Sequence, residues 1–97
     1  MNFGNEFLAI VAVEFHKRFT YEYWITDCEF RIGSADIGNH GTTSRITSNH
    51  WCGIYRGPNL ERKTTVLCET ITNGQYLTVQ SLNSHVVLDE IFILTKL

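Results

Sequence analysis

A chain of 97 residues has room for one small domain and no more. With 43% hydrophobic and 19% charged residues it is globular rather than disordered. A net charge of −2 with no basic stripe gives no electrostatic footing for nucleic acid or for an anionic membrane surface as partner.

Residues 1–6 lack the basic n-region of a signal peptide, and the apolar run over residues 7–13 stops at Glu14. That run is far too short to cross a bilayer, so no membrane insertion is expected. From residue 7 to 15, Phe7, Ala9, Val11, Val13 and Phe15 hold one parity of an extended segment, and Leu8, Ile10, Ala12 and Glu14 the other. This is a strand pattern with both faces covered early and one exposed late. Residues 16–26 are polar and aromatic without a clean period and read as a long loop or an edge. Cys28, Phe30 and Ile32 alternate with Glu29 and Arg31, a half-buried strand that ends at Gly33. Residues 34–49, rich in Gly, Ser, Thr and Asn, read as loop.

Residues 53–55 predict a short strand, and Gly57-Pro58-Asn59 a turn. Thr64, Val66 and Cys68 alternate with Thr65 and Leu67, and Asn73-Gly74 fits a type I′ hairpin turn into a strand over 76–80. Asn83-Ser84 marks another turn, and residues 86–94 form the last strand. Five or six short strands and no stretch of helical period predict an all-β antiparallel sandwich or barrel.

Cys28, Cys52 and Cys68 allow at most one intrachain disulfide and leave one thiol spare. In a secreted chain a Cys52–Cys68 bridge closes a short loop, worth about 3 kcal/mol in the chain-entropy treatment. In the cytosol the same residues stay reduced and act as small core hydrophobes. No CxxC pair is present to suggest structural zinc. Cys28 lacks any local nucleophile signature and reads as a core cysteine, and His40, His50 and His85 sit on separate turns as polar surface.

A set of ordered motifs adds to this reading. Asn2-Phe3-Gly4, the strand over residues 7–15, Glu29-Phe30-Arg31-Ile32-Gly33, Asn49 to Cys52-Gly53, Cys68, Gly74-x-Tyr76 and Leu88-x-Glu90 follow one another in the order of an F-type lectin (fucolectin) domain. The chain resembles that family, a branch of the discoidin-like jelly rolls, over nearly its whole length. The resemblance implies an antiparallel jelly-roll β-sandwich, shortened at the N-terminus because Met1 falls inside the family domain. It also implies a binding role rather than catalysis, with glycans of the fucose or galactose type as ligands. Where the family carries Arg-x-Asp and then a further base, this chain has Lys17-Arg18-Phe19 and then Trp24, so the sugar site is degenerate. Lysine is not the geometric equal of the guanidinium fork.

The candidate sugar-binding residues are therefore Lys17, Arg18, Tyr21 and Trp24, with Tyr23 beside them. Glu90 matches the family's calcium-ligating glutamate, and Asp89, standing where the family has a cysteine, could add oxygens beside it, which makes calcium the one implied cofactor. Calcium takes six to eight oxygens, more than two residues supply. The rival reading is a non-catalytic protein-interaction or structural module that kept the fold and lost the sugar. A jelly roll without its early strands exposes sheet edges, which predicts a homo-oligomer or a neighbouring domain as cover. The expected compartment is extracellular, as part of a longer protein, or cytoplasmic if the 97 residues are complete.

Overall fold

A computed structural model describes residues 8–17, 26–35, 46–57, 61–81 and 88–96. They form six strands: β1 (Leu8–Lys17), β2 (Cys28–Gly33), β3 (His50–Tyr55), β4 (Lys63–Gly74), β5 (Tyr76–Ser81) and β6 (Leu88–Thr95). The strands make two antiparallel three-stranded sheets, ordered β4-β1-β6 and β3-β2-β5, and no helix is present among the described residues. The all-β expectation is met at this level.

The sheets face each other across one core. Val13 and Phe15 from β1 meet Cys28, Phe30 and Ile32 from β2, with Cys52 and Tyr55 from β3, Val66 from β4 and Leu77 from β5. Phe15 stacks on Phe30 at 5.3 Å between ring centroids and meets the Tyr55 ring edge-on at 5.4 Å, geometries that add to area burial. The alternation predicted for β2 holds, with Cys28, Phe30 and Ile32 all buried.

Three local readings need correction. The parity assigned to β1 breaks at a bulge between Ile10 and Ala12, where β1 advances two residues while β6 advances one. Ile10, Val13 and Phe15 then share the core face, because an extra residue reverses the alternation. The strand expected over 53–55 starts earlier, at His50. Asn73-Gly74 is not a hairpin turn, since β4 and β5 lie in different sheets and Gly74 does not have a positive φ. The glycine is needed for another reason: a Cβ there would come within 2.6 Å of the Gly33 nitrogen and 2.8 Å of its Cα. The chain crosses between sheets at this contact, held by Gln75 N–H donating to the Gly33 carbonyl at 2.9 Å.

A disulfide joins Cys52 on β3 to Cys68 on β4, so the expected bridge is present and it links the edges of the two sheets. The chains approach closely beside it: a Cβ on Gly53 would meet the Leu67 carbonyl oxygen at 2.8 Å. Cys68 opens an irregular stretch in which β4 advances from Leu67 to Thr72 while β1 moves only from Ala12 to Ile10.

Candidate functional site

Lys17 ends β1 and lies on the core side, fully buried, in the row of Val13 and Phe15. Its ammonium donates to the Tyr55 hydroxyl at 3.0 Å and sits 5.0 Å from the centroid of the same ring. Its backbone is clamped by Arg62: Lys17 N–H donates to the Arg62 carbonyl at 2.7 Å, and Arg62 Nε donates to the Lys17 carbonyl at 3.2 Å. The cation expected in a ligand-facing loop is thus held inside the protein. Arg18, Tyr21 and Trp24 lie outside the described residues, as does Tyr23.

The outer face of the β4-β1-β6 sheet carries a different feature. Leu67 on β4, Ala12 on β1 and Leu94 on β6 stand directly opposite one another. Leu67 is 74% exposed, Phe92 44% and Leu94 43%, with Ile71 half exposed within the irregular stretch of β4. Ala12 is buried yet belongs to the outer row, covered by its cross-strand neighbours rather than packed in the central cluster. Toward the other end of the face the residues turn polar. Lys63 Nζ lies 3.3 Å from Glu14 Oε1, His16 Nε2 lies 3.8 Å from the other Glu14 oxygen, and the His16 ring meets Phe92 edge-on at 5.6 Å.

The outer face of the β3-β2-β5 sheet holds a third cluster, centred on Arg31. Its guanidinium lies 5.1 Å from the Trp51 ring centroid and 3.5 Å from the Glu29 carboxylate, and it donates to the Asn49 carbonyl at 3.3 Å. Asn49 Nδ2 donates to Thr78 Oγ1 and to the Ala35 carbonyl, and Asn49 Oδ1 accepts from Ala35 N–H, each at 3.0 Å. Gln80 Oε1 accepts from Ile46 N–H at 2.8 Å. Arg31 Nε is buried without a hydrogen-bond partner, an unusual state for a cationic donor. Local pattern hardly signals this network: Arg31 reads as the solvent side of a half-buried strand, and only its pairing with Trp51 on β3 reveals the cluster.

Glu90 is exposed and faces His16 across the sheet, while Asp89 falls at a register shift of β6 and its side chain is outside the described residues. Among the described residues no group of three His, Cys, Asp or Glu side chains is placed to hold a metal. Cys28 is buried and free. Burial, and then the nearby Glu29 charge, push its thiol up from 9.0 to about 12. At neutral pH the group is held as the thiol, and the thiolate, which is the nucleophilic form, is suppressed.

The chain matches no protein-family model, and no curated protein or solved structure resembles it at a significant level.

Proposed function

We propose that this protein is a non-catalytic binding module that works through the outer face of its β4-β1-β6 sheet, with a protein as partner. One observation carries the reading: the Leu67–Ala12–Leu94 row, extended by Phe92, places large apolar side chains in water on a face that ordinarily alternates to polar. Glu14, Lys63, His16 and Glu90 adjoin it at one end, so the apolar patch is flanked by charge, as the core of an interface is by its polar margin. The ordered motifs support a discoidin-like jelly roll as the finer description of the fold. The Cys52–Cys68 bridge supports an oxidising, extracellular setting.

Recognition of fucose- or galactose-type glycans, with or without calcium, is the second reading. It is favoured by the Arg31 cluster, where Trp51 offers a ring for the apolar side of a sugar, and Glu29 and Arg31 offer charged hydrogen-bonding groups for hydroxyls. The burial of Lys17 disfavours a site built on Lys17, Arg18, Tyr21 and Trp24.

Titrating L-fucose and D-galactose against tryptophan fluorescence, with and without calcium, separates the two. The interaction reading expects no saturable response from either sugar. A saturable response competed by free monosaccharide overturns it, and loss of that response in Lys17→Ala would restore the loop as the sugar site.

A further inference from the structure

We propose that the partner includes a second copy of this chain, joined along the free edge of β6 in an antiparallel, two-fold pairing centred on Ile93. The inference rests on the reading of the β4-β1-β6 sheet as the working surface and names its occupant.

β6 is an edge strand: among the described residues it pairs with β1 alone. Its register against β1 is unbroken on the β6 side from Glu90 to Thr95, whereas the other edge of the sheet, β4, is interrupted between Leu67 and Thr72. The run Glu90-Ile91-Phe92-Ile93-Leu94-Thr95 has no proline and no charge at its centre, so it lacks the devices that usually blunt an edge.

The direction of its main-chain groups fixes the register of a partner. Lys96 N–H donates to the Ala9 carbonyl on β1 at 2.9 Å. Main-chain groups alternate sides along an extended strand, so those of Leu94, Phe92 and Glu90 also point at β1, and those of Ile91, Ile93 and Thr95 point away. A two-fold axis at Ile93 pairs Ile93 with its own copy, Ile91 with Thr95, and Thr95 with Ile91. All three outward-pointing residues then exchange hydrogen bonds. Moving the axis by one residue takes one of the three off the regular strand.

The side chains agree with this register. Directly opposed residues of an antiparallel pair share a face. On the outer face Glu90 then stands opposite Lys96 of the second copy, and Lys96 opposite Glu90, so two opposite-charge pairs flank the axis. Neither Glu90 nor Lys96 has an ion-pair partner among the described residues. Between these pairs Phe92 opposes Leu94 and Leu94 opposes Phe92, which joins the two exposed apolar rows into one. On the inner face Ile91 and Ile93, partly buried at the open side of the core, meet Thr95 and Ile93 of the second copy. The contact is self-complementary and closed, and it leaves the interrupted β4 strands as the ends of a six-stranded sheet.

Sedimentation over a concentration series tests the pairing. Wild type is expected to be dimeric at micromolar concentration. Glu90→Lys and Lys96→Glu are each expected to raise the dissociation constant roughly tenfold, because each change sets like charges opposite one another twice per dimer. The double variant, with the charges exchanged, is expected to return to wild-type affinity. Ile93→Cys is expected to cross-link the dimer on oxidation, since opposed residues of a hydrogen-bonded pair lie about 5.5 Å apart between Cα atoms, within disulfide reach.

A monomer at every concentration overturns the proposal. So does a dimer indifferent to both charge reversals. Leu67→Glu, on the far strand of the sheet, separates this failure from failure of the broader reading. Association that is weakened by Leu67→Glu and untouched by the β6 changes refutes edge pairing while keeping the outer face as the contact surface.

Discussion

Reduction of the Cys52–Cys68 bridge is expected to cost about 3 kcal/mol of folding stability. The bond closes a loop with a sequence separation of 16, and the loss of chain entropy for a loop of that size comes to about 3 kcal/mol at 25 °C. Cleavage leaves the packing nearly intact, because Cys52 is fully buried, Cys68 is half-buried against the core, and two thiols occupy almost the space of the disulfide. The cost therefore appears through the unfolded chain. Urea unfolding followed by tryptophan emission, with and without dithiothreitol, reads it directly. At a urea slope of roughly 1–3 kcal/mol per molar, the midpoint should fall by roughly 1–3 M. The Cys52→Ala/Cys68→Ala variant should fall further, since it adds lost core volume at a buried site. A midpoint unchanged on full reduction would refute the reasoning, as would free thiols at both positions in the native protein.

Stability should also fall at alkaline pH because of Cys28. Its thiol titrates near 9.0 when exposed and near 12 in the fold, so the folded state holds the proton more tightly. The contribution is complete below pH 9 and is lost as pH rises through 12, a fall of about 4 kcal/mol in all. Cys28→Ala should flatten this slope in a pH series of unfolding midpoints, and an unchanged slope would assign the alkaline loss to other groups. Gly74→Ala forces a methyl group onto the Gly33 backbone, which cannot swing aside. It should cost about 2 kcal/mol and lower Tm by roughly 10 °C; a Tm within about 2 °C of wild type would mean that the crossing relaxes. Lys17→Ala should lose about 2–4 kcal/mol through its cavity and the vacated Tyr55 contact, and Lys17→Met about 1 kcal/mol or less, because the stem is kept. Equal and negligible losses in thermal melts would place Lys17 outside the core.

The elements with clean alternation were legible and those with irregularities were not. β2 could be read because Cys28, Phe30 and Ile32 stand against Glu29 and Arg31, which leaves one choice of inner face. β1 gave no such choice in its first half, which is apolar at both parities, so nothing in the pattern marks the bulge after Ile10 that brings Ile10 onto the face of Val13, Phe15 and Lys17. The partner that makes burial of Lys17 tolerable, Tyr55, lies 38 residues downstream, beyond any local pattern. Asn73-Gly74 carries hairpin chemistry, but turn propensity is local and the choice of sheet is set by long-range packing, here the contact with Gly33. The exposed Phe92 and Leu94 did leave a signal, since residues 91–94 are apolar at both parities and a strand covered on one face only would not be. The Cys52–Cys68 pairing was legible as far as its cysteine spacing and ordered resemblance, and its role as a link between sheet edges needed the fold.

The most direct test of the account is the reactivity of Lys17 toward an amine-labelling reagent, read residue by residue with mass spectrometry on the native protein. Lys17 Nζ is enclosed against Tyr55, whereas the Lys63 side chain is 66% exposed. Rapid labelling of Lys63 and Lys96 is expected, and none of Lys17 until the protein is unfolded. Labelling of Lys17 at the rate of Lys63 in the folded protein would contradict it and return Lys17 to a ligand-facing loop.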